Sequence, residues 1–181
     1  MKKTAILLCL ILISSFVSKG QDQPSVAPEK NVLKVNTLAL IIRTGSVFYE
    51  RKITDVISGQ LGLAYLNYTI DESKLDGLGV TPEVRFYIRK NALDGFYVGP
   101  YLRYNNFGYD DGTSAGRYKA FGGGVSFGRQ WIFKKGFVID LFFGGHYTSS
   151  KVTVTTGTEA PDFARIEGFN IRTGFALGFA F

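Results

Sequence analysis

The chain has 181 residues, which fits one domain, and with 45% hydrophobic and 15% aromatic residues it is too apolar for a disordered chain. A single cysteine and a single histidine exclude an internal disulfide framework and metal sites built from several cysteines or histidines. The 22 glycines, 16 phenylalanines and 10 tyrosines favour strands joined by tight turns over helices.

The first twenty residues are predicted to be a cleavable signal peptide. Residues 1–3 are positively charged, residues 5–16 are largely apolar, and Ser18 and Gly20 place small side chains before the cut. The apolar run is too short to cross a bilayer of about 30 Å comfortably. Cleavage removes three lysines, so the formal charge of +6 falls to +3. We therefore predict export from the cytoplasm and no nucleic-acid partner.

Residues 21–31 are polar, contain two prolines, and are predicted to form a periplasmic linker. From residue 32 to residue 181 the sequence alternates with period two, and residues 169–181 show this best, because large apolar side chains alternate there with small or polar ones. A strand directs alternate side chains to opposite faces. The alternation predicts eight strands, at about 33–42, 46–53, 58–69, 80–88, 96–105, 120–128, 137–146 and 169–181.

The predicted connections differ in length between the two ends of the strands. At one end they are short, at residues 54–57, 90–95 and 131–136. At the other end, apart from a short first link, they are long and polar, at residues 70–79, 106–116 and 149–164. This asymmetry is typical of outer-membrane barrels. We predict an all-β fold, an eight-stranded antiparallel up-and-down transmembrane β-barrel.

The polar face of the strands distinguishes a membrane barrel from a soluble, lipocalin-type barrel. A soluble barrel would turn this face to water, but here it consists mainly of glycine and alanine, which suit a narrow interior. Three acids and three bases also fall on it, and a closed lumen requires such charges to pair. The predicted lumen charge network comprises Glu50, Glu83, Arg85, Arg103, Asp140 and Arg172. We expect these side chains to fill the lumen.

The C-terminal run, with Phe175, Leu177, Phe179 and Phe181 at alternate positions, resembles the signal that the barrel assembly machinery reads in bacterial outer-membrane barrels. The chain from Asn31 onward resembles the small OmpX/OmpW-type proteins. Residues 31–36 and 81–87 resemble an uncharacterised Bacteroidetes-type subgroup. The resemblance implies a location in the outer membrane of a Gram-negative bacterium, in contact with outer-membrane lipid, and it implies no activity.

Three functions remain open: a structural or interaction barrel, which we favour, a narrow channel for small solutes, and a lipid-modifying enzyme. An enzyme would need a nucleophile within reach of His146, but Ser149 lies on the opposite strand face. We therefore predict no catalytic residue, no cofactor and no metal site.

The last polar link continues to alternate beyond the expected membrane boundary. Two interpretations are open. The seventh and eighth strands project there as a hairpin, whose exposed edge accepts a strand from an extracellular or membrane protein partner, or the segment is a threonine-rich mobile loop. The predicted partner-binding loop comprises Lys151, Val152, Thr153, Val154 and Thr155.

Overall fold

The computed structural model describes residues 29–41, 44–70, 73–88, 91–157 and 167–181. Eight antiparallel strands pair in chain order, and the last closes on the first to form a barrel, which confirms the predicted fold class. The strands are β1 (Asn31–Asn36), β2 (Thr44–Lys52), β3 (Ile57–Ile70), β4 (Ser73–Tyr87), β5 (Gly95–Asp110), β6 (Ala115–Ile132), β7 (Phe137–Thr156) and β8 (Gly168–Ala180). A short helix, α1 (Thr37–Ile41), follows β1, and a 3-10 turn (Lys134–Gly136) precedes β7.

The outward face of the barrel is apolar and exposed. Phe127, Phe143 and Ile171 expose 56%, 59% and 65% of their surfaces. Soluble monomers rarely expose a contiguous apolar surface of more than a few hundred Å². None of the helices in the described ranges is long and apolar enough to span a bilayer.

The inward face is narrow, and glycines make room for aromatic rings there. The Tyr97 ring occupies the space that a Cβ at Gly128 would take, and the Phe142 ring does the same at Gly174. Phe142 also packs edge-on against Phe48, with ring centroids 5.8 Å apart. The small residues on the polar face therefore serve to admit large ones from neighbouring strands.

The first strand is shorter than the predicted 33–42. β1 ends at Asn36, whose side-chain oxygen accepts a hydrogen bond from the Ala39 amide at 3.4 Å, and the chain turns into α1. This contact resembles a helix N-cap, which competes with continuation of the strand. Thr37 then donates a hydrogen bond to the Phe175 carbonyl of β8 at 2.9 Å. The predicted linker also ends earlier, because Asn31 already pairs with Arg51 of β2.

The long polar links predicted at one end, which we call the outer end, are largely strand. β3 and β4 pair up to Ile70 and Ser73, and β5 and β6 pair up to Asp110 and Ala115. The turn between β5 and β6 closes on Asp111, because the amides of Ser114 and Thr113 and the Thr113 hydroxyl donate hydrogen bonds to its carboxyl. These hydrogen bonds hold the pKa of Asp111 below its ordinary value.

The seventh strand projects at the outer end, as the hairpin prediction requires. β7 continues to Thr156, and among the described residues its pairing with β8 runs as far as Thr148 and Gly168. Its outer part, residues 149–156, pairs with β6. The returning arm of the hairpin would fall in residues 158–166, which lie outside the described residues, so the hairpin stays a prediction. Residues 151–155 are therefore strand, not loop, and among the described residues they pair on one side only.

The turn between β4 and β5 folds into the opposite, inner end of the barrel. Leu93 has a φ of 82° and exposes only 1% of its surface, because it packs among Val32, Val138 and Ala180. Its carbonyl accepts a hydrogen bond from the Gln130 side chain at 2.8 Å. This turn, residues 91–94, therefore places an apolar floor across the inner end of the lumen.

Candidate functional site

The middle of the lumen is occupied by a cluster of buried charges directly above the apolar floor. Lys34 lies at its centre, and its side chain is fully buried. The Lys34 Nζ is 2.6 Å from Glu50 Oε2 and 2.8 Å from Asp140 Oδ2, and it also donates to the side-chain oxygen of Gln130. One ammonium group on the shortest strand thus links carboxylates from β2 and β7.

Two arginines complete the cluster. The Arg85 guanidinium is 3.0 Å from Glu83, 3.1 Å from Glu50 and 2.9 Å from Asp140, and it lies over the Tyr97 ring at 4.0 Å. Arg172 Nη1 is 2.7 Å from Glu83 Oε2. Guanidinium groups suit such sites because they bond several carboxylates at once and stack on aromatic faces.

Every carboxylate oxygen of the cluster accepts at least one hydrogen bond. Besides the cationic donors, Tyr87 donates to Glu50 at 2.7 Å, Tyr97 donates to Asp140 at 2.9 Å, and Ser126 donates to Glu83 at 2.7 Å. Buried ion pairs stabilise a fold only when such additional bonds satisfy the remaining lone pairs. The lumen charge network as the structure has it consists of Lys34, Glu50, Glu83, Arg85, Asp140 and Arg172.

Five of the six predicted network residues meet in this cluster, and Arg103 does not. Arg103 lies nearer the outer end, where its Nε donates to Asn105 at 3.3 Å. Lys34 takes its place in the charge balance, so three acids still face three bases. Lys34 was not predicted as a network residue, because apolar and polar side chains alternate less cleanly in the first strand than in the later ones. The available signal was its position on the same strand face as Val32 and Asn36.

A cavity of about 280 Å³ lies above the network, in the outer half of the lumen. At the boundary, Arg172 lies over the Tyr101 ring at 4.5 Å, and the Tyr101 hydroxyl is 3.0 Å from His146 Nδ1. The cavity is lined by Leu66, Leu75, Arg103, Asn105, Phe107, Tyr109, Tyr118, His146, Thr148, Asn170 and Ile171.

His146 makes no hydrogen bond to a hydroxyl nucleophile of the serine or threonine type, or to a carboxylate, within the described ranges. Its partner is Tyr101, and the nearby Glu167 accepts a hydrogen bond from Ser150. Across the same ranges no group of three or more His, Cys, Asp and Glu side chains is placed to hold a metal ion.

The other predicted site residues lie on the outer surface and the rim. Phe179 and Phe181 point outward, with 55% and 58% of their surfaces exposed, while Phe175 and Leu177 are half-buried. Phe181 exchanges backbone hydrogen bonds with Asn31, which closes the seam between the chain ends of the barrel. The assembly-signal role of this run stays a prediction. The predicted signal peptide and residues 21–28 lie outside the described residues.

Eight strands closed on themselves, with an apolar exterior and a polar, filled lumen, define a small barrel of the outer-membrane type. The chain belongs to the family described as "Protein of unknown function (DUF3575)", whose sequence profile matches residues 5–160.

The fold is also similar to a solved structure, described as "Crystal Structure of Acinetobacter baumannii CarO", which is an eight-stranded outer-membrane barrel. The TM-score is 0.51 and the sequence identity is 12%, and the alignment covers 88% of this chain and 100% of that chain. At this identity the likeness concerns the fold alone. No curated protein matches the chain. The predicted OmpX/OmpW-type and Bacteroidetes affinities stay predictions.

Neutralising one acid of the network tests whether the charges depend on one another. Asp140→Asn leaves Lys34 and Arg85 in excess in the lumen, and we expect it to lower the free energy of unfolding by about 3–5 kcal/mol. The double variant Lys34→Met, Asp140→Asn keeps the network neutral, so it should lose less than Asp140→Asn alone. Urea unfolding, followed by the heat-modifiable band on a gel, measures both. Asp76→Asn, at an exposed carboxylate, is the control. The single variant Lys34→Met is measured in the same way. If the double variant loses as much free energy of unfolding as Lys34→Met and Asp140→Asn lose in sum, the two charges are not coupled.

Proposed function

We propose that this protein is a non-conducting barrel of the outer membrane that acts through its outer rim, in a structural or interaction role. The observation that carries the proposal is the filled lumen. The location in the outer membrane is supported by the apolar exterior, because aromatic and aliphatic side chains cover the outward face where lipid would contact it. We place the inner end, with its short turns, in the periplasm.

Two layers argue against a channel. Leu93 forms the apolar floor, and above it the network spans the lumen between β1, β2, β4 and β7. Lys34, Glu50, Arg85 and Asp140 have no exposed surface. An ion entering this space would have to break several charge-assisted hydrogen bonds, and an eight-stranded barrel has little width to spare.

The outer rim offers a surface for a partner. Residues 149–156 of β7 stand beyond the last pair with β8, so their backbone has one strand neighbour among the described residues. Such an edge can pair with an extended segment of another protein. Residues 149–156 are rich in threonine, and we retain residues 151–155 as the proposed contact. Neither an enzyme nor a cofactor is part of this proposal.

The channel alternative is tested by conductance. We expect the purified barrel to give no unit openings in a planar bilayer, because the floor and the network fill the lumen. The triple variant Lys34→Ser, Leu93→Ser, Asp140→Ser removes the floor and one ion pair without changing the net charge, and it should give measurable openings. Reproducible unit conductance from the unaltered barrel would overturn the non-conducting assignment.

The interaction role is tested by photo-crosslinking in intact cells. We expect the photoreactive amino acid p-benzoylphenylalanine in place of Thr153, on the rim, to yield a discrete crosslinked protein. The same amino acid in place of Thr173, which is exposed on the lipid-facing side of β8, is the matched control and should yield none. If no crosslinked protein forms at position 153, or if the same one forms at positions 153 and 173, the outer rim is not the contact surface.

A further inference from the structure

The outer cavity carries a charge that the network does not use. We propose that this cavity binds a small organic monoanion, a carboxylate attached to an apolar body, and that Arg103 holds the carboxylate. This site goes beyond the proposed interaction role, because it lies inside the lumen and not on the rim.

The charge balance of the lumen singles out Arg103. The network closes with three acids and three bases without it, and Arg172 is neutralised by Glu83 at 2.7 Å. Across the described ranges Arg103 has no ion pair, and its Nε donates to the neutral side chain of Asn105. A half-buried cation without a counter-ion costs free energy, which an anionic ligand would recover.

Two further groups around the cavity can bond an anion. Thr148 lines the cavity and is 95% buried. Its hydroxyl has no hydrogen-bond partner among the described residues and is itself covered, so it bonds a ligand only when the side chain turns toward the cavity. His146 engages the Tyr101 hydroxyl through Nδ1, so a neutral ring that accepts there carries its hydrogen on Nε2 and is a donor. Buried hydroxyls without partners are uncommon, and a ligand is one explanation for such a group.

The remaining lining suits the body of the ligand. Leu66, Leu75 and Phe107 give the cavity an apolar part beside its polar groups. Its volume of about 280 Å³ equals that of roughly nine waters, which is room for a small organic molecule. Apolar lining with a few placed polar groups is the usual composition of a small-molecule site.

Arg103 is a single positive charge without an acidic partner among the described residues, so a ligand with one negative charge would neutralise it. A planar guanidinium matches a carboxylate through two parallel hydrogen bonds. A phosphate dianion would bring two charges to one uncompensated base, and the second charge would stay unpaired in the largely apolar cavity. A neutral ligand would leave Arg103 without a counter-ion.

Titration calorimetry on the full barrel in nanodiscs tests the site with benzoate, its neutral analogue benzamide, and phenyl phosphate. We expect saturable benzoate binding, with benzamide and the phenyl phosphate dianion at least about tenfold weaker. Arg103→Gln should weaken benzoate binding at least about tenfold, as expected for a lost bond to a charged group. Arg103→Lys, which keeps the charge, should weaken it less. Arg117→Gln, at an exposed arginine of the outer rim, should leave the affinity for benzoate unchanged.

The outcomes that would overturn the site are equally defined. They are no saturable benzoate binding to the unaltered barrel, equal affinity for benzamide, tighter binding of phenyl phosphate, or unchanged benzoate binding by Arg103→Gln. A heat-modifiable band for each variant shows that the barrel has folded. The test of the cavity is independent of the proposed interaction role, because crosslinking at Thr153 detects a protein partner at the rim and calorimetry detects a ligand in the lumen.

Discussion

The structure depends on the mutual neutralisation of six buried charges in the middle of a narrow lumen. Lys34, Arg85 and Arg172 can be buried only because Glu50, Glu83 and Asp140 face them. Each ion would carry a penalty of several kcal/mol alone, and the pairing has to be geometrically good to offset it. The hydroxyls of tyrosines and serines complete the coordination of the acids, which explains why the polar face combines charges with these residues.

This interior determines what the exterior must be. Because the charged groups of the strand centres point inward, the outward face there is mostly apolar, and such a face suits lipid better than water. Closure of β8 on β1 satisfies the strand edges that an open sheet would expose. The network fills the middle of the lumen, and the cavity lined by Arg103 lies above it in the outer half.

Period-two alternation was sufficient to predict the eight strands and their two faces, because successive side chains of a strand point to opposite faces of the sheet. It also identified five of the six network charges. It failed where the chain left the regular pattern. Asn36 ends the first strand through a side-chain contact, and Leu93 enters the lumen from a turn, where alternation has no meaning.

The outer extensions of β3 to β6 were predicted as polar links for a different reason. These segments are rich in polar residues and glycine, so the hydrophobic signal fades although the backbone pairing continues. Arg103 was placed in the network because alternation gives the face of a residue but not its height in the barrel. Height follows from the stagger between strands, which a single sequence does not specify.

Thiol labelling at two adjacent positions tests the inside-out arrangement most directly, since Cys9 lies in the predicted signal peptide and the mature chain would have no other thiol. Val125 is exposed on the outward face, and Ser126 is fully buried beside Glu83. We predict that a charged maleimide labels neither Val125→Cys nor Ser126→Cys in the folded, lipid-embedded barrel, because each thiol is shielded from water, and that it labels both after the barrel has been unfolded by heating in detergent. Rapid labelling of Ser126→Cys in the folded barrel would show a water-filled lumen. Rapid labelling of Val125→Cys would show that the outward face lies in water. Either result would contradict the arrangement of charges inside and apolar side chains outside.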